Sequence, residues 1–232
     1  MNVEILHRPA NTAAKITLDP NEECTSEGGA MIAMSGDMRV ATAVNRHTGS
    51  LGRTILTGVS RQIAREGYFL NTFTAGPSGG DLYLGTHLPG DMTMIELTGT
   101  TTLKVQSGAF VAHEQGVAMG IVWEGLKSMF SGERLIWLEM RGTGKVLINA
   151  FGMIYPIHVD GEYVVDTGNI AAYEATLDYS VTKAGGSWVS SFLGGEGLVA
   201  RFSGRGTVWC QTHADRVFGS RLTPHLKPRK EK

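Results

Sequence analysis

Apolar and polar residues alternate along most of this chain, which is the pattern of β-strands that bury one face. The clearest case is residues 195–212, where every second position of 198–202 is apolar and the alternation resumes at 208–211. Gly204 and Gly206 separate the two runs, and glycine adopts the positive φ angles of tight turns without a Cβ clash. The pattern predicts a β-hairpin with at least one glycine at positive φ.

Two patterns recur along the sequence. A strand-like stretch that follows a glutamate, a glycine-containing turn and a second strand-like stretch occur together at 66–84, 132–150 and 195–212. A strand that begins with Gly, a small residue, an apolar pair and Ala precedes each of them, at 29–34, 108–113 and 168–173. The recurrence predicts three diverged copies of one β unit.

We therefore expect an all-β protein, with three tandem β-sandwich-like units of the double-stranded β-helix kind in a single domain. The units cover about 1–97, 98–160 and 161–218, and the basic segment 219–232 is expected to be a disordered tail. Residues 49–65 differ, because apolar residues recur there at steps of four and predict a short amphipathic helix. That helix is expected to pack on the sheets, although its arginines leave a phosphate or carboxylate contact open.

Composition narrows the class of protein. The net charge of −1 gives no general attraction for nucleic acid or anionic lipid. Cys24 and Cys210 are too few for a disulfide framework and indicate reduced thiols in a cytosolic protein. No apolar run approaches the roughly 20 residues of a membrane span, and the N-terminus lacks the pattern of a signal peptide or mitochondrial presequence. We expect a cytoplasmic protein.

Three segments together resemble a known family. They are the 195–212 hairpin, V-D-T-G-N-I-A-A-Y-E at 165–174 and V-Q-S-G-A-F-V-A-H-E at 105–114. The chain is similar, from about residue 26 to 212, to the altered-inheritance-of-mitochondria family of mitochondrial-biogenesis proteins, which has many bacterial members. The resemblance implies a fold similar to the trp RNA-binding attenuation protein and assembly into homotrimers. It implies no catalytic residues, and a bacterial cytoplasmic member is the better match.

The titratable residues do not form a familiar catalytic or metal site. Glu66, Glu133 and Glu196 stand at the same place in each unit, and each is expected to accept backbone hydrogen bonds at a repeated turn. A functional interpretation would place these acids around a common axis. None of the seven histidines falls in a His-x-His pair or a His-Glu-x-x-His helix. We expect no metal and no cofactor.

Nucleophiles and phosphate loops are also missing from the sequence. No Gly-x-Ser-x-Gly elbow occurs, and neither cysteine has the sequence context of a nucleophile. The Gly-x-Gly segments join two strands rather than a strand and a helix, so the helix N-terminus that binds phosphate is not predicted. RNA binding needs basic residues interleaved with stacking aromatics, and only the tail is basic. The sequence does not favour a nucleic-acid partner.

The remaining candidates are four apolar residues in loops rich in Gly and Ser: Met129, Phe130, Trp188 and Phe192. Exposed apolar side chains in such loops indicate a protein interface, whereas buried ones would plug the ends of the β units. The prediction is a non-enzymatic homo-oligomer, with three chains expected, that acts as a scaffold or binds an unknown ligand. A small-molecule binder or enzyme that uses clefts between units, and an RNA-binding ring, are the alternatives.

Overall fold

The computed structural model describes residues 1–44, 69–123, 136–183 and 198–226. Before residue 90 the strands are β1 (Asn2–Leu6), β2 (Ala13–Leu18), β3 (Glu23–Glu27), β4 (Met31–Met34), β5 (Arg39–Val44), β6 (Phe69–Thr74) and β7 (Gly80–Leu84). The middle of the chain forms β8 (Met92–Thr98), β9 (Leu103–Gln106), β10 (Phe110–Glu114), β11 (Val117–Trp123) and β12 (Ile136–Asn149). The last strands are β13 (Ile154–Asp166), β14 (Ile170–Glu174), β15 (Asp178–Lys183) and β16 (Leu198–Gln211). The all-β prediction is confirmed.

The strands form two antiparallel sheets. The smaller sheet has the order β1-β2-β7-β4. The larger follows the path β13-β16-β14-β9-β12-β10-β3-β6-β5, with β11 and β8 added on β12 and β15 added on β16. Strands β4 and β13 therefore lie at sheet edges.

The hairpin predictions are wrong, because the glycine segments kink strands that continue. β12 runs through Gly142 and Gly144, and β16 runs through Gly204. The first half of β12 pairs with β11 and β9, and its second half pairs with β8 and β10. The predicted positive φ angles are present at Gly142 (107°), Gly144 (138°) and Gly204 (109°). Glycine therefore bends the strand here, while partner strands on both sides prevent it from reversing.

The segment at 66–84 is not a hairpin either. β6 pairs with β3 and β5, whereas β7 pairs with β2 and β4. The two strands thus belong to different sheets, and a tight turn closed by the Gly79 amide on the Gly76 carbonyl at 3.1 Å lies between them.

Two glutamates stabilise the kinks in the long strands. Glu114 Oε2 accepts a hydrogen bond from the Lys145 amide at 2.9 Å, directly after the β12 kink. Glu174 Oε2 accepts one from the Thr207 amide at 2.7 Å, at the same place in β16. A buried amide without a partner is unfavourable, so these carboxylates compensate for ladder bonds that the kink disrupts.

The core consists of three apolar clusters. Ile16, Phe73 and Leu82 are central to the first, Phe110 and Leu138 to the second. The third surrounds Phe202 and the aromatic group Trp137, Tyr173 and Tyr179. The three clusters are built mainly from different parts of the chain, so the core is divided along the sequence.

The structure describes the C-terminal segment as far as residue 226, and residues 227–232 of the expected tail lie outside the described residues. A helix, α1 (Asp215–Leu222), follows β16, and a 3₁₀ turn (Thr223–His225) follows the helix. Phe218 on α1 packs against Phe151, with ring centroids 5.4 Å apart, which attaches the helix to the end of the sheet. The helix predicted at 49–65 lies outside the described residues.

Candidate functional site

The candidate interface residues of the sequence analysis cannot be placed. Met129, Phe130, Trp188 and Phe192 all lie outside the described residues. The repeated acids Glu66, Glu133 and Glu196 do as well. Their roles in assembly and at the repeated turns stay predictions.

The described histidines are spread over the fold. His113 is buried, and burial lowers the pKa of its imidazole, whose Nδ1 lies 2.9 Å from the Glu114 carbonyl. His158 lies beside Thr207, and His213 beside Thr212. Within the part of the chain that the structure describes, no three His, Cys, Asp or Glu side chains are grouped as metal ligands.

Both cysteines are structural residues of the core. Burial raises the pKa of the Cys24 thiol to about 12 and that of Cys210 to about 11. The thiolate is the nucleophilic form, so neither side chain is reactive near neutral pH.

Among the strands at sheet edges, β4 and β13 expose the apolar residues with the highest exposed fractions. β4 pairs only with β7, and its Ile32 side chain is 61% exposed. β13 pairs only with β16, and its Val164 is 52% exposed. An unpaired edge presents free amide and carbonyl groups to another strand, and β-branched residues favour such pairing.

A polar cleft of about 300 Å³ lies where several strands end. Gln106 ends β9, Asn149 ends β12 and Gln211 ends β16, and all three line the cleft. Ser107, His87 and the first residue of α1, Asp215, are also part of its polar lining. The walls thus come from parts of the chain that are far apart in sequence.

Gln211 forms a rigid wall of this cleft. Its Oε1 accepts a hydrogen bond from the Phe151 amide at 3.0 Å, and its Nε2 donates to the Gly168 carbonyl at 2.9 Å. Its own carbonyl accepts a bond from Asn169 Nδ2 at 2.8 Å. Gln211 therefore fixes the position of Phe151, whose ring lines the cleft and also a neighbouring apolar cavity beneath α1.

Asn149 stands at the end of β12 as Gln211 stands at the end of β16, but its side chain is used differently. It is only 8% exposed. No hydrogen bond among the described residues involves its amide group, whose atoms are accessible from the cleft rather than enclosed in the core. The amide therefore keeps a donor and an acceptor available toward the cleft.

Glu27 and His87 form a titratable pair beside the cleft. His87 Nε2 lies 3.2 Å from Glu27 Oε2, and the Glu27 side chain is 16% exposed. Burial raises the pKa of Glu27 to about 7.

We expect the raised pKa of Glu27 to make the stability of the protein depend on pH. The folded protein holds a proton on Glu27 up to about pH 7, whereas the ordinary glutamate pKa of 4.5 applies after unfolding. The free energy of unfolding should therefore fall as the pH rises from 4.5 to 7, by about 2 kcal/mol. Glu27→Gln should flatten this part of the profile in urea titrations at a series of pH values, and the exposed Glu96→Gln should not. Parallel profiles for wild type and Glu27→Gln would contradict the assignment.

Sequence reasoning missed this cleft. Its residues carry no shared motif, and each follows an apolar strand as an ordinary polar end residue. The only signal was that Asn149 and Gln211, two amides, close equivalent apolar runs, V-L-I and V-W-C.

Fold and cleft together define an all-β protein with unpaired sheet edges and a polar cleft where several strands end. Residues 3–213 match the family described as Mitochondrial biogenesis AIM24. The chain belongs to this family, as the sequence resemblance predicted.

A bacterial protein of known structure shares the fold. The X-ray crystal structure of a Streptococcus pyogenes protein superposes with a TM-score of 0.78 at 24% identity, covering 97% of this chain and 99% of that chain. None of the curated proteins matches the sequence. Among the described residues, no helix is long and apolar enough to cross a membrane.

Proposed function

We propose that this protein is a non-enzymatic scaffold or binding protein that works as an assembly of identical chains. One observation carries the proposal. The unpaired edges of β4 and β13 occupy places whose counterparts elsewhere in the chain pair with each other.

The counterparts follow from three repeated units. A register shift interrupts pairing between Met31 and Ala33 in β4, and between Phe110 and Ala112 in β10. β14 has the same shift two residues before Tyr173. Such a shared irregularity supports three copies of one unit, because bulges are features of a fold rather than of composition.

Neighbouring units join through one kind of strand pair. β10 of the second unit pairs with β3 of the first, with Ala112 opposite Ser26. β14 of the third unit pairs with β9 of the second, with Ala172 opposite Val105. The next pair in this series would join β4 to β13 with Ala33 opposite Val165, and the chain leaves both strands open.

The solvent exposure of equivalent side chains agrees with this arrangement of strand pairs. Val111 of β10 is 1% exposed, whereas its counterpart Ile32 in β4 is open to solvent. Leu103 of β9 is buried, whereas its counterpart Tyr163 in β13 is exposed. Side chains that are buried at the joints within the chain are therefore uncovered at its two ends.

A second copy of this chain is the occupant that fits. Its β13 offers the strand that β4 lacks, in the register used twice within each chain. Such a head-to-tail contact closes into a ring when the rotation between subunits permits, and we propose three chains. Closure would leave no free edge of this kind, which protects the assembly from open-ended aggregation.

A binding or scaffold role is proposed instead of catalysis because the described residues include neither a reactive thiol nor a set of metal ligands. Both thiols are protonated near neutral pH. The described residues provide no set of metal ligands. Elemental analysis of the purified protein tests this part, since stoichiometric zinc, iron or manganese would contradict it.

The assembly is tested by light scattering coupled to size exclusion. Wild type should show the mass of three 24.9 kDa chains. Val164→Lys and Ile32→Lys should each shift the mass toward one chain, because a lysine on a strand edge opposes pairing. Val40→Lys on β5 replaces an equally exposed valine outside the proposed joint and should leave the mass unchanged. A wild-type mass of one chain, or edge variants that assemble normally, would refute the proposal.

A further inference from the structure

We infer that the cleft at Asn149 binds a small uncharged heterocycle that presents a hydrogen-bond donor and an acceptor on one edge, as a nucleobase does. Every wall residue comes from one chain, so the site goes beyond the proposed assembly and does not depend on it. The inference rests on the juxtaposition of a free amide, an aromatic ring and a carboxylate around one cavity.

The amide of Asn149 sets the chemistry of recognition. A carboxamide offers one carbonyl acceptor and an NH₂ donor side by side, and it pairs in bidentate fashion with a ligand edge of complementary pattern. Asn149 has no hydrogen-bonding partner among the described residues and is largely withdrawn from solvent. A ligand that supplies both bonds would pair with an amide that makes no hydrogen bond within the described fold.

The contrast with Gln211 shows that the free amide is not required by the fold. Gln211, at the end of β16, uses both ends of its amide to hold the Phe151 amide and the Gly168 carbonyl. Asn149 ends β12 and is one methylene shorter, and it makes no such bonds. Gln211 at the end of β16 therefore holds Phe151 in the cleft wall, whereas Asn149 at the end of β12 faces the cavity.

Phe151 favours a flat ligand. Phe151 lines the cleft, and its ring packs against His213 and Phe218, with centroids at 5.2 and 5.4 Å. An aromatic side chain fixed in this way provides a face on which a planar ring can stack. The volume of about 300 Å³ is at the small end of ligand pockets, which suits a base or nucleoside better than a peptide or lipid.

The charges favour a neutral ligand over a phosphorylated one. Asp215 lines the cleft. Arg221 lines the neighbouring cavity that shares Phe151, not the cleft itself. A phosphate close to Asp215 would meet like charge, so free bases should bind better than nucleotides.

The test is isothermal titration calorimetry of the full chain with adenine, with purine as the matched ligand that lacks the amino donor. Wild type should bind adenine saturably and purine at least tenfold more weakly, because purine can form only one of the two paired bonds with the amide. Asn149→Leu should weaken adenine binding at least tenfold. Gln115→Leu removes an amide from the exposed turn after β10 and should not change it.

Thermal unfolding without ligand separates recognition from a structural role. Because the Asn149 amide makes no bond within the described fold, Asn149→Leu should melt at the wild-type temperature or above it. A clearly lower melting temperature would show a structural amide and overturn the inference. It would also be overturned if neither adenine, cytosine nor nicotinamide bound saturably, if Asn149→Leu bound adenine as wild type does, or if AMP or an adenine oligonucleotide bound more tightly than adenine.

Discussion

Gly142→Ala is expected to destabilise this protein by about 3 kcal/mol or more. Gly142 has a φ of 107°, and a Cβ there would lie 2.4 Å from the Gly116 carbonyl oxygen. That oxygen is fixed because it accepts a hydrogen bond from the Thr143 amide. The backbone would therefore have to move at the point where β12 turns from one set of partner strands to the other. Thermal and urea unfolding at a fixed protein concentration measure the effect.

Alanine substitutions at two further glycines distinguish backbone strain from a steric clash of the added Cβ atom. Gly161 in β13 has a nearly equal φ of 108°, and a Cβ there would meet no atom within 4 Å. Gly161→Ala should therefore cost about 1–2 kcal/mol from backbone strain alone. Gly120→Ala has an ordinary backbone angle and a nearest neighbour at 3.9 Å, so it should be neutral or slightly stabilising. Equal effects of Gly142→Ala and Gly161→Ala would show that the close approach to Gly116 is not important.

Arg8→Ala is expected to cost about 3 kcal/mol, because it leaves a buried carboxylate without its charge partner. Asp91 is 1% exposed, and Arg8 donates to both of its oxygens at 2.9 and 2.8 Å. The Asp91 backbone is bonded to Ala150 and Gly152 in addition. The ion pair therefore ties the segment between β1 and β2 to the junction of β12 and β13.

A double-mutant cycle shows whether the charge is the cause. Asp91→Asn keeps the shape and the acceptor for the Met92 amide while it removes the charge. In Arg8→Ala with Asp91→Asn, no buried charge remains unpaired, so the double variant should lose less stability than the two single variants added together. Additive losses in urea unfolding would refute the buried-charge explanation.

Strand formation followed directly from the sequence. The alternation of Leu198, Ala200 and Phe202 with more polar neighbours predicted a strand, and these three side chains are buried in β16. The positive φ at Gly142 and Gly204 was predicted as well, because only glycine tolerates that conformation freely. The alternation of a strand and the φ angle of a glycine depend on residues that are close in sequence.

The direction of the chain after those glycines was not predictable in the same way. A positive φ fits a turn and a kink equally well. β16 continues because β13 pairs with it along its whole length, from Ile154 opposite Gln211 to Asp166 opposite Val199. Glu174 then accepts the amide that the kink frees. Both partners are distant in sequence, so only the assembled sheet decides between the two outcomes.

The sequence by itself determined the all-β class, the strand faces, the glycine conformations and the family, since each rests on local periodicity or on a motif. The tertiary structure alone decided which strands pair, that β4 and β13 remain open, and that the amide of Asn149 is left free beside Phe151. Those features depend on distances between residues tens of positions apart, and a residue's own sequence context does not encode which partners reach it. The candidate interface and cleft are defined by such missing partners, and a missing partner leaves no pattern in the sequence.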